Sequence, residues 1–107
     1  MEKRGLSWPM QWLIERCQET NFGRITVFVR DGEPDLSRPI RLLRTIKLSG
    51  GENGPRTEAG RDNFTLRHEH TAMVAQVSSA PNGATVTIEV KHGLPFLIEV
   101  EHDYRAA

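Results

Sequence analysis

Apolar residues recur in this chain with two periods, and the period changes at a few marked positions. Met10, Leu13, Ile14 and Cys17 stand at i, i+3, i+4 and i+7. That spacing puts them on one stripe of a helix. Ser7 offers a hydroxyl N-cap, and Pro9 falls in the first turn, where its missing N–H costs nothing. Trp8 and Trp12 widen the stripe on one flank. Asn21 and Gly23 are suited to end the helix, and Met1 to Gly5 reads as a frayed tail.

The period then falls to two. Ile25, Val27 and Val29 alternate with Thr26, Phe28 and Arg30, which predicts a strand, and Asp31-Gly32 predicts a tight turn. Glu33 to Pro39 reads as a loop with two prolines. From Ile40 to Leu48 the chain alternates again, with Ile40, Leu42, Ile46 and Leu48 on one face. Arg44 interrupts that face. Leu, Arg and Lys also favour a short helix there; the preceding turn and the alternation together favour a strand. Ser49 to Asn63 is rich in glycine and polar residues and reads as a flexible linker.

The next segment is ambiguous. Leu66, His70, Met73, Val74 and Val77 fit one helical face, but Val74 to Ser79 could also extend. Pro81-Asn82-Gly83 ends the segment. Val86, Ile88 and Val90 then alternate with polar residues, His92-Gly93 predicts a turn, and Phe96, Ile98 and Val100 alternate through a last strand.

A near-repetition decides the ambiguity. ITVFVRDGEP, from Ile25, is echoed by VTIEVKHGLP, from Val86. Leu13, Ile14, Cys17 and Gly23 match Met73, Val74, Val77 and Gly83 at a spacing of 60. After one added residue, Thr26, Val29, Gly32 and Pro34 match Thr87, Val90, Gly93 and Pro95 at 61. The match favours helix over 66–79. The first copy carries extra residues, Asp35 to Arg38, before its second strand. A two-stranded hairpin is marginal alone, and two αββ units can close one core. The expected fold is therefore α+β: tandem αββ units forming a four-stranded, mainly antiparallel sheet with two helices packed on one face. The whole chain, 1–107, makes one domain, with units at 7–48 and 64–105 and a linker at 49–63.

The run from Leu13 through Leu48 carries Phe22-Gly23, then Ile25, Val27 and Val29, then Asp31-Gly32, then Thr45-Ile46-Lys47. In this it resembles the YezD-like family of small bacterial proteins. That pattern is a helix, an aromatic-Gly step, an alternating strand ending in a polar-Gly turn, and a strand with a basic end. The resemblance implies an αββ unit and an intracellular setting. It implies no activity.

Composition narrows the function classes. The chain has 107 residues, 14 basic and 14 acidic, for a formal net charge of zero. Such a balance gives no global steering towards nucleic acid or a membrane surface. One cysteine, Cys17, permits no intrachain disulfide and fits a reducing cytoplasm. The first residues lack the apolar run of a signal peptide, and no segment approaches the roughly 20 apolar residues that span a bilayer.

Candidate chemistry is sparse. Arg67-His68-Glu69-His70 holds metal-ligand types, yet on a helix His68 and His70 point about 200° apart. They are expected to be solvated or capping histidines. Cys17 sits in the apolar stripe and is expected to be buried and unreactive. Gly50 to Arg56 lacks the Gly-Lys-Ser/Thr ending of a phosphate loop. No cofactor is expected, and no catalytic residue.

Charge segregation carries more. Arg24, Arg30, Arg38, Arg41, Arg44 and Lys47 crowd the first hairpin, and Glu89, Glu99, Glu101 and Asp103 crowd the second. With Ile25, Val27 and Val29 turned to the core, Arg24, Phe28 and Arg30 face outward near Arg41, Leu43 and Lys47. Leu97 lies among the carboxylates of the other hairpin. Three readings are open: cross-strand pairing on a solvated face; a protein interface centred on Phe28, Leu43 and Leu97; or nucleic acid on the basic face with Phe28 stacked on a base. The favoured expectation is a small, non-catalytic cytoplasmic interaction module, a homodimer or a partner of another protein through its outward sheet face. Nucleic-acid binding by the first hairpin is the alternative.

Overall fold

Two helix stripes and the inner faces of the strands close on one another to form the core. The computed structural model of the protein describes residues 3–48 and 67–103. The expected linker at 49–63, the glycine-rich run from Gly50 and the start of the second unit lie largely or wholly outside the described residues.

After one 3-10 turn, Lys3–Gly5, helix α1 runs Trp8–Thr20. Ser7 stands at the N-cap with extended backbone, but its hydroxyl makes no capping bond; instead the Gln11 side-chain amide donates to the Leu6 carbonyl at 2.8 Å. Asn21 ends the helix at φ 62°, and its amide bonds the Cys17 carbonyl at 3.3 Å. Helix α2 runs His68–Ser79, which settles that segment as helical. At its start His70 is buried, and its Nδ1 accepts from the Arg67 amide at 3.3 Å. One of the two histidines therefore caps the helix, and His68 stays exposed.

The strands are β1 (Gly23–Arg30), β2 (Glu33–Pro34), β3 (Arg41–Arg44), β4 (Thr85–Lys91) and β5 (Leu94–Glu101). They form one antiparallel sheet of five strands. The order is β2-β1-β4-β5, with β3 also on β1. The fifth strand corrects the expected four. β2 and β3 flank the same side of β1, because β4 occupies the other. The chain leaves the ladder after Pro34 and rejoins it at Arg41. Asp35 causes the detour. Its carboxylate accepts from the Ser37 amide at 3.1 Å and hydroxyl at 2.6 Å, a local turn that competes with strand pairing. The expected strand over 40–48 is also shorter, ending at Arg44.

Both hairpins turn on residues with positive φ: Asp31 and Gly32 at 54° and 75°, His92 and Gly93 at 56° and 74°. Two such residues in a row match the right-handed twist of the flanking strands. Hydrogen bonds tie each turn to a segment distant in the chain. The Asp31 amide donates to Asn82 Oδ1 at 2.7 Å, and the Gly93 amide to the Asn21 carbonyl at 2.9 Å.

Leu13, Ile14 and Cys17 of α1, Met73 and Val77 of α2, and the inner residues of β1 and β4 share one buried cluster. Each fully buried aliphatic side chain contributes roughly 1.5–3 kcal/mol relative to exposure. The two helices meet where Cys17 Sγ approaches Met73 Sδ at 4.0 Å. Both helices thus lie on one face of the sheet, and among the described residues no element covers the other. No described helix is long and apolar enough to cross a membrane.

Candidate functional site

Strand alternation decides what the uncovered face presents. Ile25, Val27 and Val29 are buried on β1, as are Val86, Ile88 and Val90 on β4. Their neighbours Arg24, Thr26 and Phe28, and Thr85, Thr87 and Glu89, therefore point the other way. The pairing register then lines the outer residues into rows across the sheet. One row reads Leu43, Arg24, Glu89, Leu97. The next reads Arg41, Thr26, Thr87, Glu99. A third reads Phe28, Thr85, Glu101.

Beside Phe28 the Asp35 amide donates to the Phe28 carbonyl at 2.7 Å, and the loop that follows brings over the ring the side chain of Arg38. Its guanidinium carbon lies 3.7 Å from the centre of the Phe28 ring. Phe28 points outward as the alternation requires, yet it is half-buried beneath that cation rather than an open aromatic. Arg38 thus covers one face of the Phe28 ring. The exposed apolar side chains within these rows are Leu43 and Leu97, at 57% and 47%.

The central charges are already matched. Arg24 Nε donates to Glu89 Oε1 at 3.3 Å, joining the two hairpins across the β1–β4 ladder. The pair is largely exposed and is worth little to stability. Arg41, Glu99 and Glu101 make no ion pair among the described residues. Arg30 is exposed at the far end of β1, opposite Glu33. Lys47 is exposed beyond the end of β3 and joins none of the rows.

One aromatic escapes the simple alternation. Val90 pairs with Pro95 but Glu89 pairs with Leu97, so Phe96 is an extra residue in a β-bulge. It was expected to face the core, and it is exposed instead, with Lys91 Nζ 5.9 Å from its ring centre. Phe96 closes one end of a shallow groove on the outer face, lined also by Phe22, Arg24, Leu43 and Glu89.

Cys17 is buried, and burial pushes its thiol up to about 12. Among the described residues no group of three His, Cys, Asp or Glu side chains is placed to hold a metal ion.

No family model matches the chain, and no curated protein or solved structure is significantly similar to it. The resemblance to the YezD-like proteins rests on the residues quoted for it alone.

Proposed function

We propose that this protein is a non-catalytic interaction module that associates with a second copy of itself through the uncovered sheet face. The observation that carries the reading is the placement of Leu43 and Leu97 at opposite margins of that face, among charges of opposite sign. A wholly solvated face has no need of two half-exposed leucines in one row. A specific interface combines such anchors with a polar rim. The face measures roughly 20 Å by 20 Å from strand spacing and rise. Burying it on both copies falls near the lower bound of specific interfaces, about 1,000 Å² in total. The expected dimer is therefore concentration-dependent.

Acidic side chains disfavour nucleic acid as the occupant. Glu89 holds Arg24, and Glu99 and Glu101 share the face with Arg41. Phosphates laid across these rows would meet carboxylates as often as guanidinium groups. The reading also includes a cytoplasmic setting, supported by the single buried cysteine, and descent from one duplicated αββ unit, supported by the matched spacings and turns.

Sedimentation velocity across a hundredfold concentration range tests the association. The reading expects a shift from monomer to dimer, abolished by Leu43→Glu with unchanged circular dichroism. A protein that stays monomeric throughout, or a dimer indifferent to Leu43→Glu, overturns it.

A further inference from the structure

The outer margins of the face are complementary to each other and cannot meet within one chain. Reading along β3 gives Leu43 and Arg41. Reading along β5 gives Leu97, Glu99 and Glu101. Register places Leu43 in the same row as Leu97 and Arg41 in the same row as Glu99. Three strand spacings separate the columns, about 14 Å. Among the described residues no ion pair spans that gap.

We infer that a second copy makes them, with the two-fold axis running parallel to the strands between β1 and β4. This inference rests on the self-association proposed above and adds its geometry. Rotation about that axis turns the partner face over and exchanges left for right while keeping each row in place. Leu43 then meets the partner's Leu97, and Arg41 the partner's Glu99. Each contact occurs twice, as an isologous interface requires. An axis running across the strands would keep left and right, laying arginine over arginine and glutamate over glutamate. Charge therefore selects one two-fold over the other. At the centre, Arg24 enters already paired with Glu89, so each copy brings a compensated pair rather than a lone buried charge.

Charge exchange between Arg41 and Glu99 tests the pairing. In Arg41→Glu the new carboxylate faces the partner's Glu99, and in Glu99→Arg two guanidinium groups face each other. Each variant alone is expected to associate at least about tenfold more weakly than wild type. An equimolar mixture of the two restores the dimer, because every facing pair is again opposite in sign. The single chain carrying both Arg41→Glu and Glu99→Arg also dimerises. Sedimentation of each variant alone, the mixture and the double variant reads all of this, and both sites are exposed enough to leave the fold intact. Wild type that is monomeric, or dimeric and indifferent to Leu43→Glu, overturns both the association and this geometry. A wild-type dimer lost in Leu43→Glu, with swapped chains that fail to recombine, overturns the geometry alone.

Discussion

Thr26 lies opposite Thr87 in the β1–β4 ladder, with 3.4 Å between their hydroxyl oxygens. The same two residues stand 61 apart, the spacing that relates the two similar phrases. Each phrase therefore meets the other about a shared centre. On one side Gly23 lies opposite Val90; on the other the Val29 amide reaches the Ala84 carbonyl at 2.9 Å.

One step from that centre, Ile25 pairs with Ile88, and both are fully buried between sheet and helices. Ile25→Ala and Ile88→Ala are each expected to cost about 2–5 kcal/mol. Because the side chains are cross-strand neighbours, the double variant departs from the sum by roughly 0.5 kcal/mol or more. Urea denaturation of the four proteins measures the coupling, and strict additivity contradicts the register.

Gly23 sits at φ 154°, and a Cβ there would collide with the Leu43 carbonyl oxygen and press on Thr20. Gly23→Ala is expected to lower stability by at least about 2 kcal/mol, seen as a reduced urea midpoint. The obstacle is the backbone of β3, so the change also displaces Leu43 and weakens self-association. Unchanged stability and unchanged dimerisation together would contradict the close approach of these strands.

Burial raises the Cys17 thiol from its ordinary 9.0 to about 12. The folded protein thus keeps a proton that the unfolded chain releases above pH 9. The contribution is fully present below pH 9 and falls between pH 9 and 12, by about 1.4 kcal/mol per pH unit. Cys17→Ala removes that part of the alkaline slope, visible as a shallower loss of stability than in wild type. An aromatic disulfide reagent should label Cys17 only as fast as the protein unfolds; rapid labelling under native conditions would show the thiol to be accessible.

Asp35 is held below its usual carboxyl value, first by the Ser37 hydroxyl and then by the Ser37 amide. Its small contribution to the loop is present above the ordinary pKa and is lost as the pH falls through the depressed one. Ser37→Ala should move the Asp35 titration upward in an NMR pH series. No movement would mean that the turn is not made in solution.

Much of the fold was legible because local pattern and burial agree. The alternation of Ile25, Val27 and Val29, the helical spacing of Leu13, Ile14 and Cys17, and both positive-φ turns follow from short-range rules. Helix α2 needed the comparison of the two phrases, since Val74 to Ser79 satisfies either period. Other features depend on partners distant in sequence. The bulge that exposes Phe96 is set by its pairing with β4 and not by its neighbours. The split of the first outer strand follows from Asp35 and Ser37, two ordinary loop residues whose bonds leave no periodic trace. The outward side of Arg24, Leu43 and Leu97 could be read from alternation, whereas their shared row required the register. Arg38 could be placed over Phe28 only once the detour was known.

Two of the edge strands carry a proline at the corresponding step, Pro34 in β2 and Pro95 in β5. One margin is also broken between β2 and β3, and the other bears Glu99 and Glu101. Such borders make poor templates for a further strand. Lateral growth into a fibre is therefore blocked at each side, while a contact made face to face uses up the surface that made it. In the proposed dimer, assembly by that route terminates at two chains, and a higher protein concentration would raise the number of pairs without lengthening any of them.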